Sequence, residues 1–114
     1  MRPGSHEFEA TRSGESVVAT LSGELDMFAT FRLEPDLERV TRQPGVRALV
    51  IDVGGVDFID SAGIGLLLAT HERLRAERIR FALANPSPSV RRMLKLTGAA
   101  DTLAVTAAPA SPDP

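Results

Sequence analysis

Hydrophobic and polar positions alternate strictly over only part of this chain. Val17, Ala19 and Leu21 interleave with Val18, Thr20 and Ser22, which gives one clearly apolar face and one mixed face, the signature of a strand covered on one side. Upstream, "FEATR" is a second β-rich stretch, and Ser13-Gly14 between the two supplies turn chemistry, so the pair predicts an opening hairpin. "ALVIDV" is a near-continuous apolar run, as expected of a strand flanked by other strands. "IRFALA" reads as a further strand and "TLAVT" as a short last one.

Between the strands the period lengthens. Leu33, Leu37 and Val40 recur at helical spacing until Pro44-Gly45 stops the pattern. Pro35 conflicts with a helix interior, where proline costs about 3 kcal/mol. A helix starting near Glu34, with Pro35 in its first turn, avoids the conflict and leaves Asp26 to Leu33 as a loop or loose turn. A second helix presents Ile64, Leu67, Leu68, His71 and Leu74 on one stripe. A third follows "NPSPS", with Pro88 early, Val90, Met93, Leu94 and Thr97 facing inward, and Gly98 at its end. The order β-β-α-β-α-β-α-β predicts an α/β fold: a single mixed sheet, an antiparallel hairpin followed by mainly parallel strands, with helices packed on it. Residues 1–6 read as a disordered leader, 7–106 as one domain, and "AAPASPDP" (107–114) as a low-complexity tail.

Composition narrows the function classes. A net charge of −2 and the lack of Trp and Tyr leave no basic or stacking footprint for nucleic acid. With no cysteine there is no thiol chemistry, and a reducing cytoplasmic setting is expected. No apolar run approaches the ~20 residues of a membrane helix, and no cofactor motif is complete. The outer face of the third helix, Arg91, Arg92 and Lys95, reads as a solvated side that could meet an acidic partner.

The chemistry concentrates in "GGVDFIDSAGIGLLL", from Gly54 to Leu68. Ser61 stands where a helix opens, and Gly63 and Gly65 occupy a first turn where each costs about 1 kcal/mol relative to alanine. Serine is a preferred N-cap, which is one reading. A nucleophile would need a base within hydrogen-bond reach, yet His71 lies ten residues along the same helix, about 15 Å away, and His6 falls in the leader. "GIGLLL" lacks the third glycine of a nucleotide cradle, and Asp57, Asp60 and Asp26 near that end oppose a free anion. A covalently attached phosphate is the other reading. It adds a charge of about −1.5 to −2, which a helix start stabilises by only ~0.3–1 kcal/mol. At a docking surface the same charge is costly, because desolvating it without a partner takes several kcal/mol.

"LSGELD" (Leu21 to Asp26), "LVIDVGGVDFIDSAGIGLLL" (Leu49 to Leu68) and "PSPSVRRMLKLTG" (Pro86 to Gly98) together resemble the STAS-domain family, more narrowly the bacterial anti-sigma factor antagonists of SpoIIAA-like fold. The resemblance spans about Phe8 to Val105. It implies a protein that is not an enzyme and carries no cofactor. Unphosphorylated, such a protein binds an anti-sigma factor that is also a serine kinase of the histidine-kinase-like ATPase fold, and so frees a sigma factor. Phosphorylation of the serine of D-S-x-G, here Ser61, releases it, and a PP2C-type phosphatase restores it. The family's acids map to Asp26 and Asp60, on the kinase-facing surface. Pro35 and "MFATF" depart from the helix that follows G-E-L-D in the family. The residue reading and the resemblance converge on one surface: Asp26, the turn carrying Asp57, Asp60, Ala62, Gly63, Ile64 and Gly65, and an outward helix face with Ala62, Leu66 and Ala69. An alternative keeps the fold and changes the task, to a STAS subunit of a lipid-transport ABC complex or a stressosome-type scaffold.

Overall fold

The computed structural model describes residues 6–106; the expected leader up to residue 5 and the tail 107–114 lie outside the described residues. His6 is the first residue of β1, so the strand begins inside what the sequence assigns to the leader. The elements are β1 (His6–Ser13), β2 (Ser16–Leu25), α1 (Met27–Thr41), β3 (Ala48–Ile59), α2 (Ser61–Ala76), β4 (Arg80–Ala84), α3 (Pro88–Thr97), a 3-10 turn (Ala99–Asp101) and the two-residue β5 (Val105–Thr106).

Strands stand in the sheet in chain order, β1-β2-β3-β4-β5. The opening hairpin is antiparallel, with Gly14 at φ 60 in its turn, and every later pairing is parallel. A parallel neighbour requires a crossover, and right-handed crossovers that always step the same way put their helices on one face. Side chains follow that rule. Val17, Ala19 and Leu21 of β2 and Leu49, Ile51 and Val53 of β3 are buried in one core with Leu33, Leu37, Leu67, Leu74, Val90 and Leu94. On the opposite face Thr20 is exposed and Val50 and Asp52 are half-buried.

Helix α1 departs from the expected boundary. It begins at Met27, because the Asp26 carboxylate accepts a 3.0 Å hydrogen bond from the Ala29 N–H and caps the first turn. Pro35 therefore lies in mid-helix, on the solvent side, and deprives the Phe31 carbonyl of its helical donor. The stripe Ala29, Leu33, Leu37 and Val40 is buried along the whole length. Burial of a leucine contributes about 1.5–3 kcal/mol, so this stripe and the cap outweigh the proline's local penalty.

Helix α2 is the central helix, flanked by α1 and α3. Its buried positions, Gly63, Ile64, Leu66, Leu67, Thr70 and Leu74, cover a wider arc than one stripe, while Leu68 and His71 are only half-buried. It ends in a left-handed cap: Ile79 N–H bonds the Leu74 carbonyl at 2.8 Å, and Arg78 takes φ 62. Arginine carries a side-chain clash of about 1–2 kcal/mol in that conformation, which glycine does not.

Helix α3 is tied to β3 at its start. Ser87 Oγ accepts from the Val90 N–H at 3.3 Å and donates to the Val56 carbonyl at 2.7 Å, with Pro88 in the first helical position. Gly98 closes the helix at φ 78, as expected, whereas Thr97 is exposed instead of facing inward. Ser87→Ala removes both bonds. It is expected to destabilise the chain by about 1–2 kcal/mol, lowering Tm by roughly 5–10 °C in a calorimetric scan.

Candidate functional site

Two register shifts between β2 and β3, opposite Thr20/Ser22 and Gly23/Glu24, give β3 extra residues and bring Leu25 level with Ile59. The next residue on each strand is an aspartate, and each aspartate caps a helix. Asp26 caps α1, and Asp60 Oδ1 accepts from the Gly63 N–H at 3.1 Å to cap α2. The two helix starts are thereby held side by side at the C-terminal end of the sheet. The Asp60 N–H reaches across to the Leu25 carbonyl at 3.4 Å.

Because Asp60 is the cap, Ser61 is not. It is the first helical residue, exposed, and its hydroxyl has no hydrogen-bond partner among the described residues. That leaves the hydroxyl open to solvent. The nucleophile reading gains nothing: no base is bonded to Ser61, and His71 packs against Phe81 with ring centroids 6.1 Å apart, well down the same helix. Among the described residues no group of His, Cys, Asp or Glu has the arrangement of a metal site.

The residues expected on the docking surface differ in exposure. Asp26, Asp57 and Asp60 gather at the end that carries Ser61; Asp57 is exposed, and its carbonyl accepts a 2.9 Å bond from Ser89 Oγ. Ala62, Gly65 and Ala69 line a groove of about 210 Å³ between α1 and α2, facing Thr30, Phe31 and Glu34. Three residues do not present themselves as expected. Ile64 is 2% exposed and belongs to the core. Gly63 is buried where a Cβ would stand 2.5 Å from the Leu25 carbonyl oxygen, so this glycine serves close packing of α2 on β2. Leu66 is only 6% exposed, since α1 covers the side that a one-stripe reading leaves outward; it forms part of the groove floor. The outward ridge is instead Ser61, Gly65, Ala69 and Glu72, at helical spacing.

The sequence reading missed the apolar part of this end. Met27, Phe28 and Phe31 on α1 are 58%, 60% and 71% exposed, and Phe58, just before the turn into α2, is 50% exposed. Phe28, Phe31 and Phe58 are three of the chain's five phenylalanines; Phe28 and Phe31 lie in the opening turns of α1, and Phe58 lies three residues before Ser61. A cluster of large exposed apolar side chains marks an interaction surface. The signal was present as Phe28 and Phe31, one helical turn apart, but it becomes legible only once α1 is known to start at Met27.

The comparisons with known proteins follow this geometry. A family model described as the STAS domain matches residues 7–111. The anti-sigma F factor antagonist of Lysinibacillus sphaericus is 34% identical over 84 residues, covering 74% of this chain and 72% of that one. The crystal structure of an anti-sigma factor antagonist from Mycobacterium paratuberculosis superposes with a TM-score of 0.83 at 31% identity, covering 94% of this chain and 90% of that one. SpoIIAA of Bacillus, an anti-sigma factor antagonist, is similar in its unphosphorylated form (TM-score 0.74, 29% identity, 89% of each chain). It is similar also in its phosphorylated form (TM-score 0.70, 29% identity, 90% of this chain and 92% of that one). On fold, length and sequence together, the chain belongs to the STAS domain family.

Proposed function

We propose that this protein is an anti-sigma factor antagonist governed by phosphorylation of Ser61. In its free-hydroxyl form it docks on an anti-sigma factor through the paired helix starts, with Met27, Phe28, Phe31 and Phe58 supplying apolar contact around the serine. The small residues Gly65 and Ala69 let the partner approach α2 closely. The partner is a serine kinase of the histidine-kinase-like ATPase fold, which transfers the γ-phosphoryl group of ATP to Ser61 Oγ while the hydroxyl proton leaves. A PP2C-type phosphatase hydrolyses the ester. The chain itself does no chemistry, and it works in the cytoplasm.

The observation that carries this reading is an exposed, unbonded Ser61 hydroxyl set among exposed aromatic side chains. The existence of SpoIIAA structures in both unphosphorylated and phosphorylated forms supports it. So does the charge already present. Asp26, Asp57 and Asp60 make this an acidic end, so a phosphate adds like charge to a face that must lose water on docking.

The test is intact-mass measurement after incubation with candidate anti-sigma factors and Mg-ATP, followed by mapping of the modified residue. A single phosphoryl group on Ser61 supports the reading; modification elsewhere, or none with any anti-sigma factor that binds, refutes it. The apolar contact has its own check. Phe31→Ser is expected to weaken binding by about tenfold or more, the scale for an aromatic anchor, with Tm unchanged because the ring is exposed. Calorimetric titration against the same partner measures it.

A further inference from the structure

The end of the molecule farthest along α2 from Ser61 carries a second feature. His71, Arg75, Arg78, Ile79, Arg80 and Phe81 line an open cavity of about 500 Å³, a size that suits a small molecule. Its body is mostly apolar, and its rim is cationic.

Three observations concern these residues separately. First, the guanidiniums are poorly engaged. Arg78 and Arg80 have neither ion pair nor side-chain hydrogen bond among the described residues, and Arg75 has only an exposed contact with Glu72 at 3.9 Å. Nearby Arg73 differs: its Nη2 bonds Thr41 Oγ1 at 3.2 Å, and its Nη1, buried without a hydrogen bond, is ion-paired with Glu77 at 3.5 Å. Second, His71 Nδ1 is buried and has no hydrogen-bond partner, although buried polar atoms are nearly always bonded. Third, Arg78 holds the left-handed position that closes α2, where glycine or asparagine fits without strain. A strained arginine beside a cavity is the kind of local cost that collects at functional positions.

We propose that this cavity is a binding site for a small amphipathic anion. The aryl or acyl body would lie against Phe81, Ile79 and the His71 ring. A carboxylate, phosphate or sulfonate head would sit among Arg75, Arg78 and Arg80, whose planar forks suit oxyanions. The part of the His71 ring that lines the cavity would lie against the ligand body, which makes the ring a reporter of occupancy. The inference does not depend on Ser61 or on an anti-sigma factor, and its test needs neither.

The experiment uses the full chain labelled at histidine and follows the His71 ring resonances by NMR. Four probes are titrated: 8-anilinonaphthalene-1-sulfonate (aryl anion), decanoate (acyl anion), N-phenyl-1-naphthylamine (an uncharged body) and inorganic phosphate (a head alone). At least one of the two amphipathic anions is expected to shift the ring saturably, and which one does so separates an aryl from an acyl ligand. The uncharged amine and phosphate are expected to bind at least tenfold more weakly. The double variant Arg78→Gly/Arg80→Ser, which removes two exposed charges and relieves the left-handed strain, should stay folded and lose tenfold or more in affinity. Phe31→Ser, at the opposite end, should leave the response unchanged. A His71 ring that no anion moves, an uncharged amine that binds equally well, or full affinity in the double variant overturns the proposal.

Discussion

Ser61→Glu is expected to bind the cognate anti-sigma factor about a hundredfold more weakly than the unmodified chain, while its melting temperature stays within about 3 °C. Burying an uncompensated charge costs several kcal/mol, and each 1.4 kcal/mol is a factor of ten in affinity. Stability behaves differently. A carboxylate in the first turn gains ~0.3–1 kcal/mol from the helix dipole, and Asp57 and Asp60 nearby offset part of that. Ser61 is exposed and unbonded, so its replacement breaks nothing in the fold. Ser61→Ala is the matching control: binding close to that of the parent chain, but no release on adding ATP. Titration calorimetry with each of the three forms decides the matter. Equal affinity for all three would mean that the docking face lies elsewhere.

The second large effect concerns two glycines that look alike in the sequence. Gly63→Ala is expected to destabilise the chain by about 2–3 kcal/mol, as overpacking of a filled core does. The added methyl would stand 2.5 Å from the Leu25 carbonyl oxygen and 2.6 Å from Ile59 Cγ1, and backbone oxygen cannot rotate aside. Shifting α2 outward would strain the Asp60 to Leu25 hydrogen bond that joins the two helix starts. Gly65→Ala is expected to have the opposite sign. Nothing lies within 4 Å of its added Cβ, so the helix gains about 0.5–1 kcal/mol of propensity. That methyl would project into the groove, however, so the same variant should bind its partner less tightly. Urea unfolding of both variants gives the comparison. A Gly63→Ala chain as stable as its parent would show that α2 does not pack on β2 as closely as described.

The sequence carried the element types, their order and the mixed sheet, because strand and helix periods change cleanly and the caps at Ser87 and Gly98 are local chemistry. It failed where a local rule met a tertiary one. Pro35 argued for a late start to α1, yet the buried stripe from Ala29 to Val40 and the Asp26 cap hold the helix through it. Asp60 and Ser61 are adjacent and both suited to capping; only the level ends of β2 and β3 decide between them, and strand register cannot be read along one chain. Leu66 reads as outward only if one stripe is the whole buried face. A helix with neighbours on both sides has more inside than one stripe. The exposed aromatic side chains at Met27–Phe31 were hidden by the same error over Pro35.

The spatial succession of the strands matches their succession in the chain, with none slotted between two made earlier. During synthesis from the amino terminus each strand therefore emerges after the neighbour it will join, and no finished pair has to reopen to admit a later strand. Each parallel pairing still closes a loop of about thirty residues, Ser16 with Ala48 and then Ala48 with Arg80, so the closure cost recurs at every strand. A chain that ends with β4 already contains both aspartate-capped helix starts and the two strands whose register holds them level.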